Sequence, residues 1–272
     1  MIRDQETINA LVDIIERFVR ERLIPAEDQM AEEGKLPDDL LQEMRELGLF
    51  GLTIPEEYGG LGLTMEEEIL VSMALGHTSP AFRSIMGTNN GIGSAAIVFN
   101  GTEAQKQKYL PKYASGEWIS CFCLTEPEAG SDAASLRTTA RRDGDHYVIN
   151  GTKRYITNAP VAHTFNVMAR TDPEVKGARG ISSFIVERDT PGITLGSIDK
   201  KMGQSGSMTC DVIFEDVRVP AENIIGEEGE GFITAMKVLD RGRLHISGVS
   251  IGVAKRLIAD ALDYAMQRKQ FG

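Results

Sequence analysis

The chain has 272 residues, and at roughly 150 residues per domain that length sets a prior of about two domains. Hydrophobic residues make up 42% and charged residues 25%, an ordinary globular mix with apolar material enough for a core. Forty acidic side chains against 29 basic ones leave a formal charge of −11, which argues against a nucleic-acid partner, because such binding needs a basic face to displace counterions from phosphates. The N-terminal part, as far as Glu117, reads as helical. Ile8, Leu11, Val12, Ile15, Phe18, Val19 and Leu23 repeat at the spacing of one buried helix face. Pro25 should end or kink that helix, Leu36-Pro37 opens the next with proline in its first turn, and Gly48 is a C-terminal stop. Ile54-Pro55-Glu56-Glu57-Tyr58-Gly59-Gly60 consists of breakers and reads as a loop. Thr64 with Glu67, and Thr102 with Gln105, form capping boxes for two further helices.

Beyond Glu117 the period changes from helical to alternating. Trp118 to Thr125, Asp145 to Asn150, Thr152 to Thr157, Phe165 to Arg170, Ser182 to Glu187 and Cys210 to Val219 read as strands. Asn150-Gly151 predicts a tight hairpin, because both central positions of such a turn take positive φ. Asp143-Gly144-Asp145 is a second turn of similar kind. Closely spaced strands with polar turns and no helices between them mean an antiparallel barrel or sandwich rather than a doubly wound parallel sheet.

From Gly231 the helical period returns with Phe232, Met236, Leu239, Ile246, Val249, Val253 and Leu257, and it runs to Gln270. Gly248 and Gly252 predict the close approach of another helix, and Arg243, His245, Lys255 and Arg256 exclude a membrane reading of that pair. A long amphipathic helix needs a partner for its stripe, and none follows it, so a truncated chain or packing between subunits is expected.

Several motifs carry less than their spacing promises. Gly91-Ile92-Gly93-Ser94-Ala95-Ala96 matches a dinucleotide fingerprint, yet that pattern has meaning only between a strand and a helix, and tight helix packing accounts for it better. Gly203-Gln204-Ser205-Gly206 falls one position short of a nucleophile elbow. Cys121 and Cys123 share a strand face as core fillers, and the cysteines and histidines lie too far apart for a metal site. Three cysteines without disulfide spacing, no apolar run approaching roughly 18 residues, and an N-terminus without a signal core together predict a soluble, cytoplasmic protein. The run from Cys123 to Asp132 is richer. A strand ends at Thr125, Pro127 sets a turn, and Gly130 frees the backbone beside Ser131 and Asp132. Such a loop aims amides and hydroxyls at one point, as an anionic or heteroaromatic ligand requires, although an ordinary turn-rich loop shares its composition. Downstream, Gly151-Thr152-Lys153-Arg154-Tyr155-Ile156-Thr157-Asn158-Ala159 places Tyr155 and Thr157 on one strand face.

These two segments, in this order, resemble the T-E-P-x-A-G-S-D flavin loop and the G-x-K-x-[WY]-I-T-N strand of the acyl-CoA dehydrogenase family. Ile54 to Gly60, Gln105-Lys106-Gln107-Lys108-Tyr109-Leu110-Pro111, Phe214-Glu215-Asp216-Val217-Arg218-Val219-Pro220, Leu239-Asp240-Arg241-Gly242-Arg243 and Gln267-Arg268-Lys269-Gln270-Phe271-Gly272 extend the resemblance over essentially the whole chain. It implies an α+β multidomain protein: an all-α N-terminal domain (1–116), an antiparallel β-barrel flavin-binding domain (117–226) and the first helix of a C-terminal bundle (227–272), with FAD between the last two. By position, Phe122, Cys123, Leu124 and Thr125 would hold the flavin pyrimidine edge. The run Tyr155, Ile156, Thr157 would face the flavin, Tyr155 against the ring and the Thr157 hydroxyl at N5. Ser131 would help place FAD or the pantetheine arm, Asp240 and Arg243 would contact the CoA portion, and Arg268, Gln270 and Phe271 would touch FAD of a neighbouring subunit in a homodimer or homotetramer.

The implied reaction is α,β-dehydrogenation of an acyl-CoA thioester. A glutamate takes the α-proton, the β-hydrogen moves as hydride to flavin N5, and the electrons leave to an electron-transfer flavoprotein. Two hydrogen-bond donors on the thioester oxygen and a desolvated carboxylate make so weak an acid yield its proton. The net negative charge does not forbid an anionic CoA ligand, since local basic residues outweigh the overall field. The chain departs from the family at the base. Most members carry it in helices farther downstream; a minority carry it in L-D-x-E-R, where Gly242 stands here. No catalytic residue is therefore expected among these positions. The expectation is a FAD-dependent acyl-CoA dehydrogenase truncated before its glutamate and inactive as the 272-residue chain alone. A non-catalytic binding or assembly module, and a flavin oxidase or monooxygenase on the same scaffold, are the other readings.

Overall fold

The computed structural model describes residues 1–272. Seven helices come first: α1 (Gln5–Phe18), α2 (Glu27–Glu33), α3 (Asp38–Glu46), α4 (Met65–Leu75), α5 (Pro80–Asn90), α6 (Ala95–Asn100) and α7 (Glu103–Ala114). Asp4 caps α1 by accepting from the Glu6 N–H, and the helix buries Ile8, Ile15 and Phe18. Pro25, lacking an N–H, falls where α1 has given way to a wide turn over Val19–Leu23 and a tight one over Ile24–Ala26. Pro37 stands just before α3 with extended backbone, and Gly48 follows it at φ 69°. Both capping boxes form, with Thr64 N–H donating to the Glu67 carboxylate at 2.9 Å and Thr102 N–H to the Gln105 side chain at 3.0 Å. The apolar faces of α1 to α5 and the turns between them enclose one core that includes Leu23, Met44, Phe50 and Phe82. The Gly91–Gly93 corner joins α5 to α6 rather than a strand to a helix, and a Cβ on Gly93 would stand 2.0 Å from the Ser120 hydroxyl. Close packing, not a dinucleotide, explains those glycines.

Seven strands follow: β1 (Ser120–Cys123), β2 (Thr139–Asp143), β3 (His146–Thr157), β4 (Thr164–Arg170), β5 (Ile181–Glu187), β6 (Ile193–Leu195) and β7 (Thr209–Pro220). They form one curled sheet in the order β1-β4-β2-β3-β7-β6, with β5 also pairing β4. Its pairings are antiparallel except that β1 runs parallel to β4 and β2 meets β4 in a single parallel bridge. Phe165, Phe184, Phe214, Val212 and all three cysteines fill its concave core, Cys121 and Cys123 with their sulfurs 3.9 Å apart and unbridged.

The expected hairpin at Asn150-Gly151 does not form. His146 to Thr157 is one continuous strand along β7, and Gly151, at φ 153°, makes a bulge where the register shifts. Asn150 locks that bulge by accepting from the Asp216 N–H at 2.8 Å and donating to the Asp216 carboxylate at 3.0 Å. A Cβ at 151 would come within 2.4 Å of the Thr138 hydroxyl, so the glycine answers a close approach by a neighbouring segment instead of a chain reversal. The reversal lies at Gly144, φ 66°, between β2 and β3. β2 and β6 had no readable pattern: β2 buries only Ala140, and β6 has three residues.

The last element is the 37-residue helix α8 (Gly231–Gln267). Its glycines meet α4: a Cβ on Gly252 would lie 2.2 Å from the Met73 carbonyl, and one on Gly76 would lie 2.4 Å from the Val249 carbonyl. No helix is long and apolar enough to cross a membrane.

Candidate functional site

The loop after β1 and the end of β3 lie side by side. Thr125 carbonyl accepts from the Arg154 N–H at 2.8 Å, and the Lys153 ammonium donates to the Leu124 carbonyl at 3.2 Å and to Glu126 Oε1 at 2.7 Å. The Glu126 carboxylate also accepts from the Arg137 and Thr138 N–H groups at 2.6 and 3.0 Å. One buried ion pair thus ties the loop to the strand at both of the loop's ends. Burial pushes the Glu126 carboxyl up, but the Lys153 charge and the hydrogen bonds outweigh it and hold the group below the usual carboxylate range. Burial in turn lowers Lys153, against the opposing pull of Glu126. Each residue is a fixed position of one of the two motifs, Glu126 in T-E-P-x-A-G-S-D and Lys153 in G-x-K-x-[WY]-I-T-N, but neither motif by itself signals that the two pair.

Beside this clamp, between one side of α5, the ends of β3 and β7 and the 201–207 loop, opens a cavity of about 360 Å³. Thr157 lines it together with Arg83, Thr88, Lys201, Gln204 and Thr209, and Ile92 is its one hydrophobic wall residue. The Thr157 and Thr125 hydroxyls and the Leu124 and Thr125 N–H groups have no hydrogen-bond partner within the chain. Tyr155 is not in the cavity wall. The β3–β7 register shifts between Lys153 and Ile156, Tyr155 takes φ 60° and is 62% exposed, and the Arg154 guanidinium lies 4.2 Å from the centre of its ring. The expected Tyr155–Thr157 pairing on one face therefore depends on an irregular backbone and not on simple alternation. Arg154 is itself fixed by Asp199 at 2.9 Å and Asp211 at 2.7 Å.

The other candidates separate into three groups. Cys123 and Ile156 point into the sheet core, so only their backbone is open to a ligand, whereas half-buried Phe122 packs against the small buried cluster of Leu124, Met168, Ile181 and Ala235, as do Phe232, Met236 and Leu239 of α8. Ser131 is exposed on the loop, and Asp240 and Arg243 pair with each other on the exposed side of α8. Arg268, Gln270 and Phe271 lie exposed past the end of α8 and do not line the cavity. Gly242 faces Ile92, whose Cγ2 would be 3.7 Å from a Cβ there, so the position that matches the family's helical glutamate backs onto the cavity wall.

Family models describe the chain nearly end to end: the acyl-CoA dehydrogenase N-terminal domain matches residues 5–117, the middle domain 121–217 and the C-terminal domain 229–272. An acyl-CoA dehydrogenase of Bacillus subtilis (strain 168) is 40% identical over 95% of this chain and 68% of its own. Butyryl-CoA dehydrogenase from Megasphaera elsdenii superimposes with a TM-score of 0.93 at 36% identity, covering 100% of this chain and 72% of that one. An acyl-CoA dehydrogenase complexed with FAD from Bacillus anthracis gives 0.90 at 38% identity, over 99% of this chain and 46% of that one. Against the mammalian very long-chain specific dehydrogenases the chain spans about two fifths, 41%, of their length. From the clamp beside the polar cavity to the three consecutive domain matches, sequence and structure agree that this chain belongs to the acyl-CoA dehydrogenase family.

Proposed function

We propose that the whole protein carries out FAD-dependent α,β-dehydrogenation of an acyl-CoA thioester, and that residues 1–272 contribute one wall of its flavin site. The observation that carries this reading is the junction of the Thr125 loop with β3, through the Arg154 N–H, next to a cavity that Thr157 lines. The residues present fit a flavin. Its pyrimidine edge is rich in acceptors, and the Leu124 and Thr125 amides and the Thr125 and Thr157 hydroxyls are donors without partners. Bound FAD would supply the hydride acceptor at N5. The chain's own part is to bind and orient: Phe122 to Thr125 along the pyrimidine edge, Tyr155 and Ile156 beside the ring, the Thr157 O–H at N5 and Ser131 toward FAD or pantetheine. Asp240 and Arg243 are assigned to the CoA portion, and Arg268, Gln270 and Phe271 to FAD of a neighbouring subunit in a homo-oligomer. Proton removal is assigned to no residue here, Gly242 standing at the one matching position. An electron-transfer flavoprotein is the proposed electron acceptor.

The test is spectroscopic. The full-length protein should purify yellow, or turn yellow with added FAD, and acyl-CoA should bleach it without oxygen. Thr157→Ala should keep the flavin and bleach about tenfold more slowly, the worth of one hydrogen bond to a reacting centre. A protein that takes up no FAD, or a flavin that no acyl-CoA bleaches, overturns the reading.

A further inference from the structure

A second cluster, outside the flavin clamp, reaches the same cavity from behind. Glu68 of α4 and His245 of α8 are both buried, with Glu68 Oε1 2.8 Å from His245 Nδ1. Glu68 Oε2 takes Arg241 at 3.1 Å, and the Ser72 hydroxyl is 3.0 Å from His245 Nδ1. On the far side of the imidazole, Arg83 Nε donates to His245 Nε2 at 2.7 Å. Arginine cannot accept, so Nε2 bears no proton, Nδ1 bears one, and that proton is directed at Glu68. Burial and the neighbouring arginines lower the His245 pKa, although the Glu68 contact opposes them, which agrees with a neutral ring.

Arg83 is thus held by one nitrogen and turned toward the cavity with two. Its Nη1 and Nη2 groups have no partner in the chain. Gly87 makes room for it: a Cβ there would stand 2.6 Å from the Arg83 Cζ. Burial lowers the Arg83 pKa to about 10, which leaves the group cationic at neutral pH. The charges do not balance. Glu68, the one carboxylate in the cluster, is shared between His245 and Arg241; Lys201 adds a second cation to the cavity wall, and the wall contains no acidic residue. A half-buried guanidinium with two free donors and no facing carboxylate is a half-made fork-to-fork pair.

We propose that Arg83, oriented by His245 and Glu68, binds a carboxylate at the far end of the acyl group, so that the substrate class is an ω-carboxyacyl thioester and not a plain fatty acyl thioester. The proposal rests on the acyl-CoA reading above and places the acyl group in this cavity, because Thr157, assigned there to flavin N5, and Arg83 line it together. The part of the cavity that this chain lines holds two cations and no carboxylate, and a terminal carboxylate would complete the Arg83 fork and neutralise the excess positive charge.

The experiment measures calorimetric dissociation constants for the full-length, FAD-loaded protein. The probes are ω-carboxyacyl-CoA thioesters of short chain, methyl-ended acyl-CoAs of equal carbon count, and CoA alone. The carboxylated ligand should bind about 10- to 100-fold tighter than its methyl-ended counterpart. Arg83→Gln should remove that preference, and Gly87→Ala, which displaces the guanidinium without deleting it, should remove it too. No preference in the unmodified protein overturns the proposal and needs no variant to be folded. So does a preference that survives Arg83→Gln, or a result in which Arg83→Gln weakens CoA alone as much as either thioester, which would place the anion on the CoA phosphates. If neither thioester binds while FAD is retained, the acyl-CoA reading falls with it; binding of both thioesters equally tells against the Arg83 assignment alone.

Discussion

A lysine with its ammonium wholly buried is stable only where its charge is met, and Lys153 is met by Glu126 and the Leu124 carbonyl. Removing one member should therefore cost far more than removing both. Lys153→Met leaves the Glu126 carboxylate buried and unpaired and should cost about 3–5 kcal/mol, whereas Lys153→Met with Glu126→Gln should recover much of that loss, as read from urea unfolding. The pH dependence has a defined sign. Glu126 is held below its unfolded value, so its contribution is complete above the ordinary carboxylate range and disappears as pH falls through the folded pKa. Glu126→Gln should flatten that acid limb; an unchanged limb would show that the pair does not carry it. Gly242 gives a contrasting case at the same scale. Ile92 at 3.7 Å is the sole neighbour of an added Cβ, and the position lies inside α8, so Gly242→Ala should raise stability by about 0.5–1 kcal/mol, seen as a higher denaturant midpoint.

Among the elements, the α4–α8 crossing is the contact that glycine permits. Gly252 and Gly76 face each other, and a Cβ on Gly252 would meet the Met73 carbonyl at 2.2 Å and the Gly76 Cα at 2.8 Å; at Gly248 the nearest atom is the Ile69 carbonyl at 3.2 Å. Gly252→Ala should accordingly destabilise by about 1–3 kcal/mol and Gly248→Ala by distinctly less, measured by thermal unfolding, the helix propensity of alanine opposing the loss equally at both positions; equal losses would mean that crossing distance does not set the cost. This crossing was legible in the sequence because four-residue glycine spacing in a helix has few other causes. The two capping boxes and the Thr125 loop were legible for the same reason: each is a local pattern whose chemistry is complete within a few residues. What stayed hidden was non-local. Asn150-Gly151 has the composition of a hairpin, and only the approach of Thr138 and the bonds to Asp216 turn it into a bulge. Glu68 and His245 are 177 residues apart, and no spacing rule connects them. Lys153 and Glu126 stand 27 residues apart in two separate motifs, and only the loop folding over the strand pairs them.

At the scale of the whole molecule, the helical core and the sheet core are joined by α7 and α8, and the polar cavity lies where they meet. Tyr113 of α7 hydrogen-bonds Thr164 of β4 at 2.6 Å, and Ala235 and Val238 of α8 pack against Ile181 and Ile185 of β5 within two shared clusters. Only the first two thirds of α8 shares in this. Its last buried residue is Gly252, and from Leu257 onward Leu257, Ile258, Leu262, Tyr264 and Met266 are each at least 59% exposed. Ile258, Leu262 and Met266 follow one another at four-residue intervals and so make one apolar ridge, the arrangement that drives helices together in water. Arg256 and Asp260, which pair at 2.7 Å, lie on the other side of the helix, and Lys255, three residues before Ile258, is the charge on the ridge side. The 272-residue chain should therefore self-associate despite its charge of −11. Light scattering over a range of concentrations should give a mass above the monomer's 29.7 kDa, and Ile258→Glu with Leu262→Glu should return it toward that value without altering the melting of the α4–α8 contact. A clean monomer of the unmodified chain at high concentration would show that burying this ridge does not drive association.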